Sequence, residues 1–263
     1  MATWYCCRQR AGPLVKECRA LRPRFSRDDS ADDRAAKAEI KKHARCAVNR
    51  DPKDKLELML ALIGPDALHY TLTFNDFYLP PTFYDVRRSL AAFFKRSQRW
   101  RAYCEKPPAM DYIYAIEGLH GDHRYHVHFV CRDEDLSLAE IKPSEGGDWP
   151  GLWRYGNVKK CEPVLRTRKY LDPLTGERVV VSDKAFRRLA EYFNKEREDG
   201  RWIPLGRHPW SCSRSLSSKL QPPEIWTSDS GVIEIPDNVI YARRGDGTND
   251  FGKYYYASYV LSD

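Results

Sequence analysis

Residues 125–130 read Tyr-His-Val-His-Phe-Val, so that apolar and polar side chains alternate along the chain. Successive side chains of a β-strand point to opposite faces of its sheet. The odd-numbered residues of this segment are therefore expected to enter a core, while His126 and His128 project together from the other face. The pattern predicts a strand over Arg124–Cys131 with one buried face.

A second strand is predicted directly before it, over Asp111–Glu117, and the connection at residues 118–123 is rich in turn-forming residues. This order favours an antiparallel hairpin. If odd residues of one strand pair with even residues of the other, Glu117 projects on the same side as His126 and His128. Two imidazoles and one carboxylate suit a divalent ion such as Mg²⁺ or Mn²⁺, are also compatible with zinc, and leave open positions for substrate. The alternative interpretation is an ordinary polar outer face of a hairpin.

The segment Leu68–Phe74 repeats this alternation further upstream and predicts another strand with one buried face. The polar face of this strand carries His69, Thr71 and Thr73. An amphipathic helix is predicted to follow over Thr82–Arg101.

A later helix is predicted from Ser182, which can cap it, to about Asp199. Its predicted buried stripe consists of Phe186, Leu189 and Phe193. Tyr192 and Lys195 are three residues apart, so they are neighbours on one face beside this stripe. A phenol is a poor nucleophile because its pKa is about 10, and a nearby cation favours the phenolate. The alternative is a surface helix without a chemical role, since Tyr-x-x-Lys is common on such helices.

The chain has 263 residues and a net charge of +7, and its excess of basic residues lies in the N-terminal part. Residues 1–50 hold 13 Lys and Arg against 6 Asp and Glu, whereas the remainder holds 31 of each sign. Residues 1–29 show no clear period and are interpreted as a loose basic arm, followed by predicted helices at Ser30–Val48 and Pro52–Ile63. A basic segment beside a neutral body favours a polyanionic partner such as nucleic acid, with a solvated charged tail as the alternative.

Apart from the adjacent Cys6 and Cys7, the eight cysteines are scattered and form no Cys-x-x-Cys pair, which argues against a zinc ribbon or finger. No apolar run reaches the roughly 18 residues of a membrane span. Met1–Arg10 lacks the apolar region of a secretory signal. We therefore expect reduced thiols in a cytoplasmic protein that does not enter a membrane.

Three short motifs follow one another within residues 69–195, about half of the chain. They are His-Tyr-Thr-Leu-Thr-Phe at residues 69–74, His-Val-His at residues 126–128 and Tyr-Phe-Asn-Lys at residues 192–195. In their order and spacing the sequence resembles the HUH endonucleases. More narrowly, it resembles the rolling-circle replication initiators, or Rep proteins, of single-stranded DNA phages and plasmids.

The resemblance implies an α+β fold in which helices flank a central antiparallel sheet. It implies that His126, His128 and Glu117 hold a divalent metal, Mg²⁺ or Mn²⁺, which polarises the scissile phosphate of a single-stranded DNA origin. Tyr192 would attack this phosphate and form a 5′-phosphotyrosine link, while Lys195 would position or neutralise the phosphate. A host polymerase would extend the free 3′-OH, and the reverse transfer would rejoin the displaced strand.

Further residues bear on this interpretation. Thr71 and Thr73 share a face with His69 and are candidate DNA-binding residues, with an ordinary polar sheet face as the alternative. The predicted helix carries only Tyr192, whereas some phage initiators have two tyrosines there, and Tyr170 is a remote second candidate. The sequence contains no Walker A motif, so unwinding is expected to fall to a host helicase.

We accordingly expect a basic N-terminal arm with helices (1–64), an endonuclease core (65–200) and a C-terminal extension that can add strands (201–263). Within the same chemistry, a single-tyrosine HUH transposase or a relaxase is the alternative. The order of His-x-His before Tyr fits replication initiators and such transposases better than typical relaxases, whose Tyr precedes the histidines. An alternative of another class is a non-catalytic DNA-binding protein in which the basic arm binds the DNA.

Overall fold

The computed structural model describes residues 3–21, 30–32, 34–35, 51–118, 124–144, 146–198, 210–249 and 252–262. The chain divides into two compact units, which we call the central unit and the terminal unit. The central unit contains Leu62–Arg166 and Phe186–Lys219, and the terminal unit contains Met1–Ala61, Thr167–Ala185 and Leu220–Asp263. Each unit thus combines segments that are distant in sequence, unlike the three consecutive segments expected above.

The fold is α+β, and the strands that pair in it do so antiparallel. The strands are β1 (Trp4–Ala11), β2 (Leu14–Leu21), β3 (Leu68–Thr73), β4 (Tyr112–Glu117), β5 (His126–Cys131), β6 (Val158–Pro163), β7 (Arg168–Leu171), β8 (Arg178–Val181), β9 (Trp210–Cys212), β10 (Glu224–Ser228), β11 (Val239–Asn249) and β12 (Gly252–Leu261). The α-helices whose two ends both lie among the described residues are α1 (Pro52–Ile63), α2 (Phe83–Tyr103), α3 (Leu138–Ile141), α4 (Arg187–Glu198) and α5 (Arg214–Lys219). A 3₁₀ helix spans Asp76–Tyr78.

The central unit is built on a five-stranded sheet in the order β6-β3-β5-β4-β9. The apolar faces of β3 and β5 form its core together with apolar residues of α2. The ring of Phe93 on α2 lies edge-on to Phe129 of β5 at 5.5 Å, and Phe94 stacks on Tyr112 of β4 at 4.2 Å. This packing covers one face of the sheet, and the two histidines of β5 project from the opposite face.

Helix α2 begins at Phe83, directly after the capping residue Thr82. The side chain of Thr82 accepts a hydrogen bond from the backbone N–H of Asp85, which satisfies a donor that the first helical turn leaves free. The helix ends after Tyr103, two residues beyond the predicted end, so the prediction over Thr82–Arg101 is confirmed.

The terminal unit contains a second five-stranded sheet, in the order β10-β1-β2-β12-β11. The interpretation of residues 1–29 as a loose arm is wrong for Trp4–Leu21, because these residues form the hairpin β1–β2. Acidic partners compensate basic residues of this hairpin. Glu17 pairs with Arg8 at 2.7 Å and with Arg19 at 2.8 Å. The buried charges interrupt the apolar alternation that would have revealed the strands in the sequence.

Lys16 of β2 is buried, and its ammonium group is neutralised by helix α1. Its Nζ atom lies 2.7 Å from carboxylate oxygens of both Asp54 and Glu57. A buried charge is tolerated when it is paired and hydrogen-bonded, so these contacts fix α1 against the sheet of the terminal unit. The prediction of α1 over Pro52–Ile63 is confirmed with the same bounds.

Strands β7 and β8 form a further antiparallel hairpin in the terminal unit. Two predicted helices differ from the structure or extend outside the described residues. Helix α4 begins at Arg187 rather than after Ser182, whose Oγ atom instead accepts a hydrogen bond from the backbone N–H of Ala185. The predicted helix at residues 30–48 lies largely outside the described residues. Among the helices described, none combines the length and apolar character that a membrane crossing requires.

Candidate metal and tyrosine site

The hairpin β4–β5 brings three candidate metal ligands to one face of the central sheet. Glu117 lies opposite His126 across the hairpin, and Ala115 lies opposite His128. Opposed residues share a face and the pleat repeats every two residues, so Glu117, His126 and His128 project together. The predicted pairing of odd with even residues is confirmed.

The two imidazoles converge on one carboxylate oxygen. The Oε2 atom of Glu117 lies 2.8 Å from the Nε2 atom of His128 and 3.1 Å from the Nε2 atom of His126. One ligand atom from each residue lies within 4.8 Å of the others, which no second group of His, Cys, Asp and Glu achieves within the described ranges. Imidazole nitrogens and carboxylate oxygens are donors that divalent ions accept. Glu117, His126 and His128 can therefore hold a metal ion.

Helix α4 places Tyr192 and Lys195 against the same carboxylate. The Tyr192 hydroxyl donates to Glu117 Oε2 at 3.2 Å, and Lys195 Nζ donates to Glu117 Oε1 at 2.6 Å. Lys195 Nζ also lies 4.1 Å from the centroid of the Tyr192 ring, within the range of a cation–π contact. The predicted buried stripe anchors the helix: Phe186, Leu189 and Phe193 are all buried. The side chains predicted to act together are therefore neighbours in the structure.

Glu117 is held in its ionised form. Burial opposes its charge, but hydrogen bonds from His126, His128 and Lys195 outweigh burial and hold the pKa of Glu117 well below its ordinary value. Burial by itself would lower the pKa of His126, but the hydrogen bond with Glu117 outweighs burial, and the pKa of His126 is raised. For His128 burial prevails, and the pKa is lowered. The site thus offers a carboxylate and a neutral imidazole, which are the protonation states that coordinate a metal.

Tyr192 is a neutral phenol in this arrangement. Burial and the charge of Glu117 raise its pKa, and the ammonium group of Lys195 only partly opposes them. Burial disfavours the charge of Lys195, but its hydrogen bond with Glu117 prevails and raises its pKa. Lys195 therefore stays cationic beside the phenol. Positive charge that neutralises Glu117 would favour the phenolate of Tyr192.

Thr71 and Thr73, the candidate DNA-binding residues, lie on β3 beside the histidine strand. Thr71 is opposite His128 and Thr73 is opposite His126. The Thr73 hydroxyl donates to the Asn157 carbonyl at 3.0 Å and accepts from the Asn157 N–H at 3.2 Å. Thr73 therefore anchors the loop before β6, and a DNA contact of either threonine stays a prediction.

The structure adds His69 of β3 to the site, a residue for which the sequence predicted no role of its own. Its Nε2 atom lies 3.0 Å from the Nδ1 atom of His128. Burial and the neighbouring His128 lower the pKa of His69 to about 3. The available signal was the strand period, which puts His69 on the face of Thr71 and Thr73, but the period cannot tell a buried polar residue from an exposed one.

Comparison of the chain with protein-family models, with curated proteins and with solved structures finds no match.

Proposed function

We propose that this protein is an HUH-type endonuclease that nicks single-stranded DNA at a replication origin through Tyr192 and rejoins it, as rolling-circle initiators do. One observation carries the proposal. The hydroxyl of Tyr192 and the two imidazoles of β5 meet at a single carboxylate, although the helix and the hairpin are far apart in sequence. An ordinary polar hairpin face would not explain why a phenol and an ammonium group from a distant helix both contact Glu117.

Glu117, His126 and His128 would hold the divalent ion, Mg²⁺ or Mn²⁺. When bound, the ion supplies charge stabilisation to the scissile phosphate and orients it. The donor set fits such an ion because a carboxylate oxygen and two imidazole nitrogens already face one another there.

Tyr192 is the proposed nucleophile. Its Oη atom forms a bond to the phosphorus, the bond from phosphorus to the 3′-oxygen breaks, and the proton of the phenol ends on the leaving 3′-hydroxyl. The number of phosphodiester bonds is unchanged, so the 5′-phosphotyrosine keeps the energy needed for rejoining. Lys195, whose Nζ atom lies beside the ring, is placed to neutralise the phosphate as negative charge develops.

The proposed partner is a single-stranded DNA origin, with a host helicase and a host polymerase acting on the nicked replicon. The face of the central sheet that carries the histidines offers basic and hydroxyl groups for the strand. Lys159 of β6 and His128 of β5 both lie opposite Thr71 of β3, one on each side. Lys159 is exposed and can contact a phosphate.

A covalent-adduct assay tests the proposal. The protein is incubated with Mn²⁺ and a library of labelled single-stranded oligonucleotides, and the products are separated in denaturing detergent. We expect a labelled protein band that Tyr192→Phe abolishes and that Tyr170→Phe, the matched control on β7, leaves intact. DNA binding without an adduct would support the non-catalytic alternative and overturn the proposal.

A further inference from the structure

His69 is a side-chain partner of the proposed metal ligand His128, and it is not itself part of the ligand group. Its Nε2 atom lies 3.0 Å from the Nδ1 atom of His128, within hydrogen-bonding distance. Both residues are buried, with relative exposures of 9% for His69 and 4% for His128, so water has little access to either ring. The contact therefore couples the proton positions of the two rings, because one of these nitrogens must donate and the other must accept.

A ligating imidazole coordinates through a nitrogen that carries a lone pair. In this structure the Nε2 atom of His128 faces Glu117 Oε2 at 2.8 Å and is the nitrogen directed into the ligand group. An ionised carboxylate only accepts hydrogen bonds, so His128 Nε2 carries a proton when it binds Glu117. Before that nitrogen can coordinate a metal, its proton must leave, and the proton of a neutral ring then resides on Nδ1.

We propose that His69 is a positioning residue: its Nε2 atom accepts the Nδ1 proton of His128 and thereby frees the His128 Nε2 lone pair for metal. The inference rests on the metal site of the proposed function. If residue 69 offered no acceptor, the Nδ1–H group of His128 in its metal-coordinating form would be buried and would lose the hydrogen bond that His69 accepts. Partners that orient a ligating histidine in this way contribute about 10–100-fold to metal affinity in proteins.

The other ligand imidazole has an equivalent partner in the main chain. The Nδ1 atom of His126 lies 3.2 Å from the carbonyl oxygen of Arg124, an obligate acceptor. Both imidazoles of the ligand group are thus engaged at Nδ1, one by the backbone and one by a side chain. His69 is the partner that a substitution can remove.

His69 also connects the ligand pair to the helix that carries Tyr192. The ring of Phe193 lies 5.5 Å from the His69 ring in an edge-on arrangement, and 5.5 Å from the His128 ring in a stacked one. One phenyl ring therefore packs against both imidazoles and restrains their rotation. Phe193 is adjacent to Tyr192 on α4, so the same contacts hold the helix over the metal ligands.

The test compares Mn²⁺ affinity in three variants, measured from the free Mn²⁺ signal by electron paramagnetic resonance. His69→Leu removes the acceptor, and His69→Gln keeps one. Val130→Ala is the matched control, because Val130 lies opposite His69 on β5, is fully buried and offers no side-chain hydrogen bond. We expect about 10–100-fold weaker binding for His69→Leu, recovery to within about threefold for His69→Gln, and unchanged affinity for Val130→Ala.

Wild-type affinity in His69→Leu, or equal losses in His69→Leu and Val130→Ala, would overturn the positioning role while leaving the proposed nuclease untouched. Absence of Mn²⁺ binding by the wild-type protein would overturn the inference and the metal site together. Mn²⁺ binding with the expected pattern but without nicking would support the inference and overturn the proposed function. A second readout does not depend on the variants: ¹⁵N spectra of the Mg²⁺-loaded protein should show His128 protonated at Nδ1, and protonation at Nε2 would overturn the inference.

Discussion

The Tyr192 hydroxyl lies 3.2 Å from Glu117 Oε2, although 75 positions separate the two residues in the chain. The same oxygen faces both imidazoles of β5. One carboxylate atom is therefore shared by the proposed nucleophile and the proposed metal ligands. Any cation that binds there also reduces the negative charge that keeps Tyr192 protonated.

Replacement of Glu117 by glutamine should weaken metal binding while preserving the shape of the site. The amide loses the negative charge that attracts a divalent ion, so we expect Mn²⁺ affinity to fall by more than about tenfold. Isothermal titration of Mn²⁺ measures the change. Glu191→Gln is the matched control, because Glu191 is on α4 next to Tyr192 but pairs with Arg187 instead. Equal losses in both variants would contradict the assignment of Glu117.

Lys195 should have opposite effects on metal binding and on chemistry. Its ammonium group binds Glu117 and competes for that charge with a metal ion. Lys195→Met is therefore expected to bind Mn²⁺ more tightly than wild type yet to nick DNA about 100-fold more slowly, since a cation beside the reacting phosphate is lost. Lys195→Arg keeps the charge and serves as the control. Weaker Mn²⁺ binding in Lys195→Met would show that Lys195 supports the ligand group instead of competing with it.

The N-terminal hairpin should contribute to stability, contrary to the expectation of a loose arm. Leu14 of β2 is fully buried, and its replacement by alanine should lower the free energy of unfolding by about 2–5 kcal/mol. Leu174, also in the terminal unit, is 94% exposed, so Leu174→Ala should change it by less than about 0.5 kcal/mol. Urea denaturation compares the two variants. An unaffected Leu14→Ala protein would restore the arm interpretation.

Glu140 should make the stability of the protein depend on pH. Burial raises its pKa, but hydrogen bonds from Lys106, Ser137 and Trp100 prevail and lower it. The pKa of Glu140 is lower in the folded state than in the unfolded state. The contribution of ionised Glu140 to the free energy of unfolding is therefore complete above the unfolded-state pKa and is lost as pH falls through the folded-state pKa. Glu140→Gln should therefore cost about 1–3 kcal/mol at pH 7 and progressively less below about pH 4.

The control for this change is Glu134→Gln, since Glu134 makes an exposed ion pair with Arg132. Such pairs contribute about 0–1 kcal/mol to stability, so the free energy of unfolding of Glu134→Gln should stay close to that of the wild-type protein at every pH tested. Urea unfolding of both variants between pH 3 and 7 provides the comparison. A Glu140→Gln deficit that grows on acidification would contradict the assigned direction of the pKa shift.

The hairpin β4–β5 and the buried stripe of α4 were predictable because both depend on local periodicity. Alternation placed His126 and His128 on one face, and pairing of odd with even residues placed Glu117 beside them. Helical spacing likewise separated Tyr192 and Lys195 from the stripe that packs against the sheet. Periodicity does not state which face of one element meets another, so the contact between Tyr192 and Glu117 required the structure.

The N-terminal hairpin β1–β2 and the role of His69 were missed for a common reason, namely that polar residues are buried there. Lys16 and Glu17 lie in strand β2 and are almost completely buried, yet both carry charge. A pattern search treats them as exposed, which breaks the alternation and suggests an irregular arm. His69 was placed on the correct face, but its burial depends on Phe193, a residue more than a hundred positions away.

The covalent bond between DNA and Tyr192 is the central feature of the proposed reaction, and mass spectrometry can locate it. Cleavage by trypsin after Arg188 and Lys195 releases the peptide Leu-Ala-Glu-Tyr-Phe-Asn-Lys, in which Tyr192 is the only hydroxyl-bearing side chain. After reaction with single-stranded DNA and digestion with nuclease, we predict that this peptide carries a nucleotide 5′-phosphate in wild type and no addition in Tyr192→Phe. A nucleotide found on a different tyrosine, or an unmodified peptide from DNA that has been nicked, would contradict the account.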